Sequence, residues 1–294
     1  MCSKLNIARS AYYKWLKREI PAQEQENAMI ATLVLEYDER FGHILGYRRM
    51  TLWINELNGK HYGKNRIHRI MQALNVHAVI RKKRHNYTKS TPETIADNIL
   101  KRNFTASKPN EKWVTDVTEC KVPGTNKKLY LSAILDLYDR SVVSYAISTR
   151  NNNDLVFDTY KAAIRANPDA KPIFHSDRGF QYTSKVFQWM LREQGITQSM
   201  SRVGHCIDNG PTEGFWGIVK TEMHRLYAIS DEDSLRNAIS QFICFYNNER
   251  FQERFEGKTP SQVRSEALTA TDPIQYPIPE NKRIQKYKSK YAAQ

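Results

Sequence analysis

The sequence predicts a mixed α/β fold, a five-stranded sheet with flanking helices, preceded by an all-helical basic region. Three observations predict it. Closely spaced alternating segments between Trp113 and Ile147 read as an antiparallel meander. The next two strands are each reached through a helical stretch of about 12 residues, which implies crossovers and parallel pairing. The first quarter of the chain carries apolar residues at helical spacing and an excess of Lys and Arg.

Taken in order, Glu24 to Arg40 reads as a helix, with Ile30, Leu33, Val34 and Tyr37 on one face. Gly46 to Leu57 follows, then a break at Asn58-Gly59-Lys60-His61-Tyr62-Gly63 and a second helix from Lys64 to Leu74. Helix, Gly-containing turn, helix is the outline of a helix-turn-helix, and its second helix offers Lys64, Arg66 and Arg69 to phosphates or base edges. An ordinary helical hairpin with a basic outer face has the same outline. Arg81-Lys82-Lys83-Arg84 then opens a basic linker that is either solvated or tracks a phosphate backbone.

From Lys112 the period changes to that of strands: Trp113 to Cys120, Leu129 to Asp136 and Ser141 to Ile147, with turn signals at Pro123-Gly124 and Asp139-Arg140. A helix, Asp154 to Ala166, leads to a strand at Ile173 to Asp177. Another, Ser184 to Gln194, leads to a strand at Ile196 to Ser199. Two further helices, Pro211 to Tyr227 and Glu232 to Asn247, complete the layers. Trp113, Trp189, Phe242 and Phe245 are expected in the core. The expected divisions are residues 1–80 (helical DNA-binding region), 81–108 (basic linker), 109–265 (catalytic core) and 266–294 (basic tail).

The charge is uneven. Of the net +14, residues 1–108 hold 20 Lys and Arg against 9 Asp and Glu, and the remainder 25 against 22. The N-terminal part is therefore the expected polyanion-binding module and the near-neutral remainder the catalytic body. Four widely separated cysteines form no C-x-x-C pair or zinc pattern, which points away from a disulfide scaffold and toward reduced thiols in the cytoplasm. No apolar run approaches a membrane span, so a soluble protein with no membrane partner is expected.

Asp116 projects from an alternating strand, Asp177 ends an apolar run just before Arg178-Gly179, and Glu213 opens a helix behind Pro211, with 35 residues between the last two acids. Two strand ends and a helix start can gather three hard oxygen ligands, the donor set that Mg2+ or Mn2+ requires. Each acid alone has an ordinary structural explanation: a strand-edge residue, a turn residue, a first-turn helix acid. The helix after Glu213 favours the shared site. Phe215, Ile218, Val219 and Leu226 form one apolar stripe, while Glu213, Trp216, Lys220 and His224 recur on another face, with Lys220 two turns beyond the acid.

Three segments carry a resemblance. They are Trp113-Val114-Thr115-Asp116-Val117-Thr118-Glu119; His175-Ser176-Asp177-Arg178-Gly179-Phe180-Gln181-Tyr182-Thr183-Ser184; and Asp208-Asn209-Gly210-Pro211-Thr212-Glu213, continuing through Trp216 to Lys220. They resemble bacterial insertion-sequence transposases of the retroviral-integrase-like D-D-E superfamily, and more narrowly the second-frame product of the family that moves by copy-out, paste-in transposition. The resemblance runs from about Met1 to Arg264 and includes Tyr246-Asn247-Asn248-Glu249-Arg250 and Thr259-Pro260. It implies a ribonuclease-H-like core in which Asp116, Asp177 and Glu213 hold two Mg2+ ions, with Mn2+ able to substitute. It implies cleavage at element ends followed by joining of the freed 3′-hydroxyl to a new strand.

Lys220 matches the family's residue that contacts the transposon end, and Arg202, His205 and Arg178 are further candidates for DNA contact. His175, also beside the second acid, is read equally as a phosphate contact or as a packed, hydrogen-bonded residue. The implied partners are double-stranded DNA of the terminal inverted repeats and the target, other copies of the chain on that DNA, and an upstream-frame product as fusion or partner. The protein is expected in the bacterial cytoplasm, associated with the nucleoid. Gly210 stands where the family often has Ala, and Gly214 where Ser is common. Neither change removes a ligand, and Gly214 is expected to loosen the first turn after Glu213.

Overall fold

The computed structural model describes residues 8–79, 96–202 and 206–278 together with residue 285. The basic run Arg81, Lys82, Lys83, Arg84, along with His205, lies outside the described residues. The chain divides into two units, Met1–Val79 and Ile80–Gln294.

The first unit is all helical: α1 (Arg9–Leu16), α2 (Ala22–Arg40), α3 (Tyr47–Asn58) and α4 (Lys64–Ala73). Ile30, Val34 and Tyr37 on α2, Met50, Trp53 and Ile54 on α3, and Ile67 and Met71 on α4 all bury the same side of their helices. The turn between α3 and α4 starts at Gly59, whose φ of 59° is the left-handed geometry that ends a helix without steric penalty. Asn55 closes it, donating to the Tyr62 carbonyl at 3.1 Å and accepting from the Tyr62 N–H at 2.8 Å. By contrast α1 buries none of its residues.

The second unit is built on a five-stranded sheet in the order β3-β2-β1-β4-β5. The strands are β1 (Lys112–Lys121), β2 (Lys128–Asp136), β3 (Val142–Ser148), β4 (Ile173–Ser176) and β5 (Thr197–Met200). The first three form the antiparallel meander, and β4 and β5 add in parallel to β1. Between β3 and β4 runs α5 (Asn153–Ala166). Between β4 and β5 lie a one-turn helix, α6 (Phe180–Thr183), and α7 (Lys185–Glu193). Phe187 on α7 is the hub of one face, with the rings of Tyr160, Phe174 and Tyr182 centred 5.5 to 5.8 Å away.

After β5 come a 3-10 turn at Cys206–Asn209, then α8 (Gly210–Leu226), α9 (Glu232–Asn248) and α10 (Pro260–Thr269). The last helix was not expected from periodicity, yet its start is written in Thr259-Pro260-Ser261-Gln262. The Thr259 hydroxyl accepts from the Gln262 N–H, and the Gln262 side chain accepts from the Thr259 N–H. Packing continues past α10: Tyr276 is buried against Phe255, and the Tyr138 hydroxyl donates to the Ile274 carbonyl at 2.7 Å.

Two aromatic expectations fail. Trp189 is 59 % exposed, on the side of α7 opposite Phe187 and Leu191. Trp216, expected with Glu213 and Lys220 on a face other than the core-facing apolar stripe, is buried, because α8 is covered by both β1 and α9. Trp113, Phe242 and Phe245 are in the core as expected. Among the described residues no helix is long and apolar enough to cross a membrane.

Candidate active site

The β1–β4 register sets the first two acids side by side. Val114 pairs with His175 across parallel strands, and the same offset continued by two residues brings Asp116 level with Asp177 on one face of the sheet. Asp177 follows the last residue of β4, and its Oδ1 accepts the Gly179 N–H at 2.9 Å. The approach is tight: a Cβ at position 179 would stand 3.0 Å from both Asp177 Oδ1 and Gln181 Oε1, so either side chain would have to shift by a few tenths of an ångström.

Glu213 lies on the first turn of α8, and it is exposed. Two bonds fix that turn to β1. The Asn209 side-chain amide donates to the Thr115 carbonyl at 3.2 Å, and the Trp216 indole N–H donates to Asp116 Oδ2 at 3.0 Å. Asn209 is the N-cap residue of α8, yet its side chain makes no cap bond and ties the helix to the strand instead.

The electrostatics record the convergence. Burial pushes the Asp116 carboxyl up to about 8, reinforced by the charges of Asp177 and, less strongly, Glu213; the Val117 N–H and the Trp216 indole pull the other way. Burial raises Asp177 as well, against the Gly179 N–H, and partial desolvation raises Glu213. Below them the buried Tyr182 hydroxyl bonds Thr115 Oγ1 at 3.1 Å. Burial and the two aspartates hold that phenol well above its ordinary value.

Among the described residues no lysine, arginine or histidine makes an ion pair with any of the three acids, and no three His, Cys, Asp or Glu side chains form a ready metal cage. Three hard carboxylates that repel one another and lack a protein cation nevertheless have the donor chemistry that suits a divalent ion.

The sequence-predicted DNA contacts fall into three groups. Lys220 on α8, and Lys64 and Arg69 on α4, are exposed. Lys220 also lies near enough to Cys120 to draw its thiol down, although burial dominates and pushes that thiol up to about 11. Arg66, Arg178 and Arg202 are engaged within the protein. Arg66 bonds Glu26 at 2.6 Å and Asn27 at 2.8 Å, Arg178 Nε donates to the Ser201 carbonyl at 2.7 Å, and Arg202 grips Asp208. The third group, His205 and Arg81 to Arg84, is outside the described residues. His175, also considered as a phosphate contact, is fully buried between Ser199 Oγ at 2.9 Å and Ser201 Oγ at 3.1 Å, and burial lowers its imidazole to about 4.

The contacts made by Trp216, Tyr182 and Asp208 were not expected from the sequence, which placed only Trp216 on the same helix face as Glu213. Tyr182 carried a signal, being a polar-tipped aromatic a few residues from Asp177. For Asp208 no local pattern reveals its partners, which are 6, 106 and 110 residues distant.

Comparison with known proteins identifies the domains and relatives of the chain. The sequence matches an integrase core domain over residues 106–206, a second integrase core domain over residues 194–260, and an HTH-like domain over residues 24–84. It is 38 % identical over 262 residues to a protein of Escherichia coli named "Putative transposase InsK for insertion sequence element IS150", covering 88 % of this chain and 90 % of that one. It is 29 % identical over 276 residues to the transposase InsF for insertion sequence IS3A of the same organism, covering 91 % and 94 %. Among solved structures, an intasome of simian T-cell lymphotropic virus in complex with PP2A regulatory subunit B56 gamma matches with a TM-score of 0.50 at 20 % identity, over 86 % of this chain and 80 % of that one. At that identity the likeness concerns the fold.

Proposed function

The chain belongs to the IS3-family insertion-sequence transposases, DDE-type enzymes with an integrase core, and on that premise we propose that Asp116, Asp177 and Glu213 are its catalytic acids, cutting element ends and joining them to new DNA. The observation that carries this reading is geometric: the β1–β4 register sets Asp116 level with Asp177, and α8, tied to β1 through Asn209 and Trp216, presents Glu213 from its first turn. Two Mg2+ ions, or Mn2+ in their place, when held by these acids would activate the attacking oxygen and stabilise the leaving one.

The protein's own groups do the positioning. The Trp216 indole and the Val117 N–H orient Asp116, the Gly179 N–H orients Asp177, and α8 presents Glu213. Lys220, two turns along α8 from Glu213 and exposed, is placed to contact a phosphate of the transposon end. In the first step a water oxygen bonds to the scissile phosphorus as the bond to the 3′-oxygen breaks, which leaves a 3′-hydroxyl. In the second, that hydroxyl attacks a phosphorus of the target strand and displaces its 3′-oxygen. Both are in-line displacements at one site, with no covalent bond to the protein.

The helical unit, with Lys64 and Arg69 exposed on the second helix of its helix-turn-helix, and the basic run Arg81 to Arg84 supply the sequence-independent attraction to double-stranded DNA, both terminal repeats and target. Several copies of the chain act together on that DNA, in the bacterial cytoplasm, alone or with an upstream-frame product.

The test is incubation of labelled element ends with the protein and Mg2+. Cleavage followed by joining supports the reading, cleavage alone marks a metal-dependent nuclease, and binding alone marks a regulatory subunit. Asp177→Asn is expected to abolish both reactions while end binding stays within about threefold. Retained cleavage would remove Asp177 from the site.

A further inference from the structure

Asp208 sits in the 3-10 turn that leads directly into α8, and its side chain is fully buried. Five donors converge on it. Arg102 Nε at 2.6 Å and Arg202 Nη2 at 2.9 Å bond Oδ1, and Arg202 Nε at 2.8 Å, the Arg202 N–H at 3.2 Å and Asn98 Nδ2 at 2.9 Å bond Oδ2. Burial alone would raise this carboxyl; the two guanidinium groups outweigh it and hold the group ionised, well below the usual carboxylate range.

The donors come from different parts of the chain. Asn98 and Arg102 precede β1, and Arg202 follows β5. To reach the carboxylate, the backbone adopts left-handed geometry at Lys101 (φ 45°) and Arg102 (φ 62°), conformations that residues with a Cβ rarely hold unless their surroundings impose them. The same segment reaches the second acid's strand. The Leu100 N–H donates to Ser199 Oγ at 3.1 Å, and Ser199 Oγ bonds the buried His175, two residues before Asp177. Immediately after Asp208, Asn209 ties the helix start to Thr115, next to Asp116.

A buried ion cluster contributes little net stability relative to an apolar substitute, but it admits few geometries. Here the geometry it restricts is where α8 begins relative to β1 and β4. We infer that Asp208 is a positioning residue for the acid site: with Arg102 and Arg202 it latches the first turn of α8, so that Glu213 is presented to Asp116 and Asp177 at a fixed place. The inference rests on reading those three acids as the catalytic set. Asp208 itself touches neither DNA nor reacting atoms, and Arg202 and Arg102 act through it.

The experiment compares full-length wild type, Asp208→Asn and Asp177→Asn for end binding, cleavage rate and backbone amide exchange by mass spectrometry. In Asp208→Asn, end binding is expected within about threefold of wild type, the cleavage kcat down by about 100-fold, as for a group displaced by an ångström, and exchange in residues 210–216 faster by about tenfold. Asp177→Asn should lose cleavage without the exchange change. If Asp177→Asn stays active, the reading of the acids fails, and the exchange at residues 210–216 still decides whether the latch exists.

Wild-type exchange across residues 210–216 in Asp208→Asn, whatever its activity, overturns the inference. Should Asp208→Asn fail to fold, Asp208→Leu/Arg102→Met, which removes both of those charges, is measured instead. It is expected to fold and to show the same loss of kcat with KM for DNA little changed. Wild-type kcat, or failure of this variant to fold as well, would make the cluster ordinary core and end the proposal.

Discussion

The indole N–H of Trp216 donates to Asp116 Oδ2 across 3.0 Å, so a residue one turn beyond Glu213 on α8 touches the first acid directly. Helix and strand are thereby joined at the site itself. Trp216→Phe would keep a buried ring and remove the donor. Its cleavage rate is expected to fall about tenfold, the effect of one hydrogen bond to an acidic group, with end binding unchanged in a gel-shift titration. An unaltered rate would show that the bond does not orient Asp116.

Because Lys220 is exposed, two turns along α8 from Glu213, its proposed contribution to DNA affinity is that of a single phosphate contact. Plotting log affinity for labelled ends against log salt concentration should give a steep negative slope. Lys220→Ala should reduce its magnitude by about 1. Equal slopes for wild type and variant would place Lys220 away from the backbone.

The far end of α8 is held by a buried, two-pronged pair, Arg250 Nε to Glu222 Oε2 and Nη2 to Oε1, each 2.9 Å. Glu222→Gln strands the guanidinium and is expected to destabilise the protein by about 3 kcal/mol in urea unfolding. Glu222→Leu/Arg250→Met, which removes both charges, should recover most of that loss. A double variant as unstable as the single would mean that the pair itself, not the stranded charge, supplies the stability.

Arg264 gathers Asp136, Asp139, Asn110 and Asn167 at distances from 2.6 to 3.1 Å. Burial first, and then the Asp139 charge, raises Asp136 to about 6 in spite of Arg264. The folded state therefore keeps a proton that the unfolded chain releases near 3.8. This group's contribution to stability is full below that value and is lost as pH rises through about 6. The difference in unfolding free energy, wild type minus Asp136→Asn, should decline by up to about 3 kcal/mol between pH 4 and pH 7. A pH-independent difference would contradict the raised value.

Two tryptophans of opposite placement test the packing. Trp113 is fully buried with its indole bonded to Asp136, and Trp189 is 59 % exposed. Trp113→Ala should cost about 4 kcal/mol or prevent folding. Trp189→Ala should stay within about 0.5 kcal/mol of wild type by thermal melting. A large loss at Trp189 would show that something in solution covers it.

The order of the elements from α2 to α9, apart from the one-turn α6, and the meander with its parallel extension were legible in the residues, since each is a local property: a period of two or 3.6, or a turn signal. Even Trp189 was legible. The helical period sets it about 200° around α7 from Phe187, and only its residue type argued for burial. Trp216 was not, because a period shows which residues share a face and not how many faces will find a neighbour. With β1 on one side of α8 and α9 on another, the buried arc widens to take in both Phe215 and Trp216.

Arg202 shows the same limit for charge. In the sequence it is a basic residue in a glycine-containing loop, and in the fold its guanidinium closes on Asp208. The sequence by itself determined the family and the order of the main strands and helices, and it carried the three acids at the motif positions on which the resemblance rests. Only the tertiary structure decided which polar groups spend their hydrogen bonds inside the protein and which remain exposed for DNA. Such bonds depend on residues a hundred positions apart arriving within 3 Å of one another, and no local pattern in a chain encodes that distance.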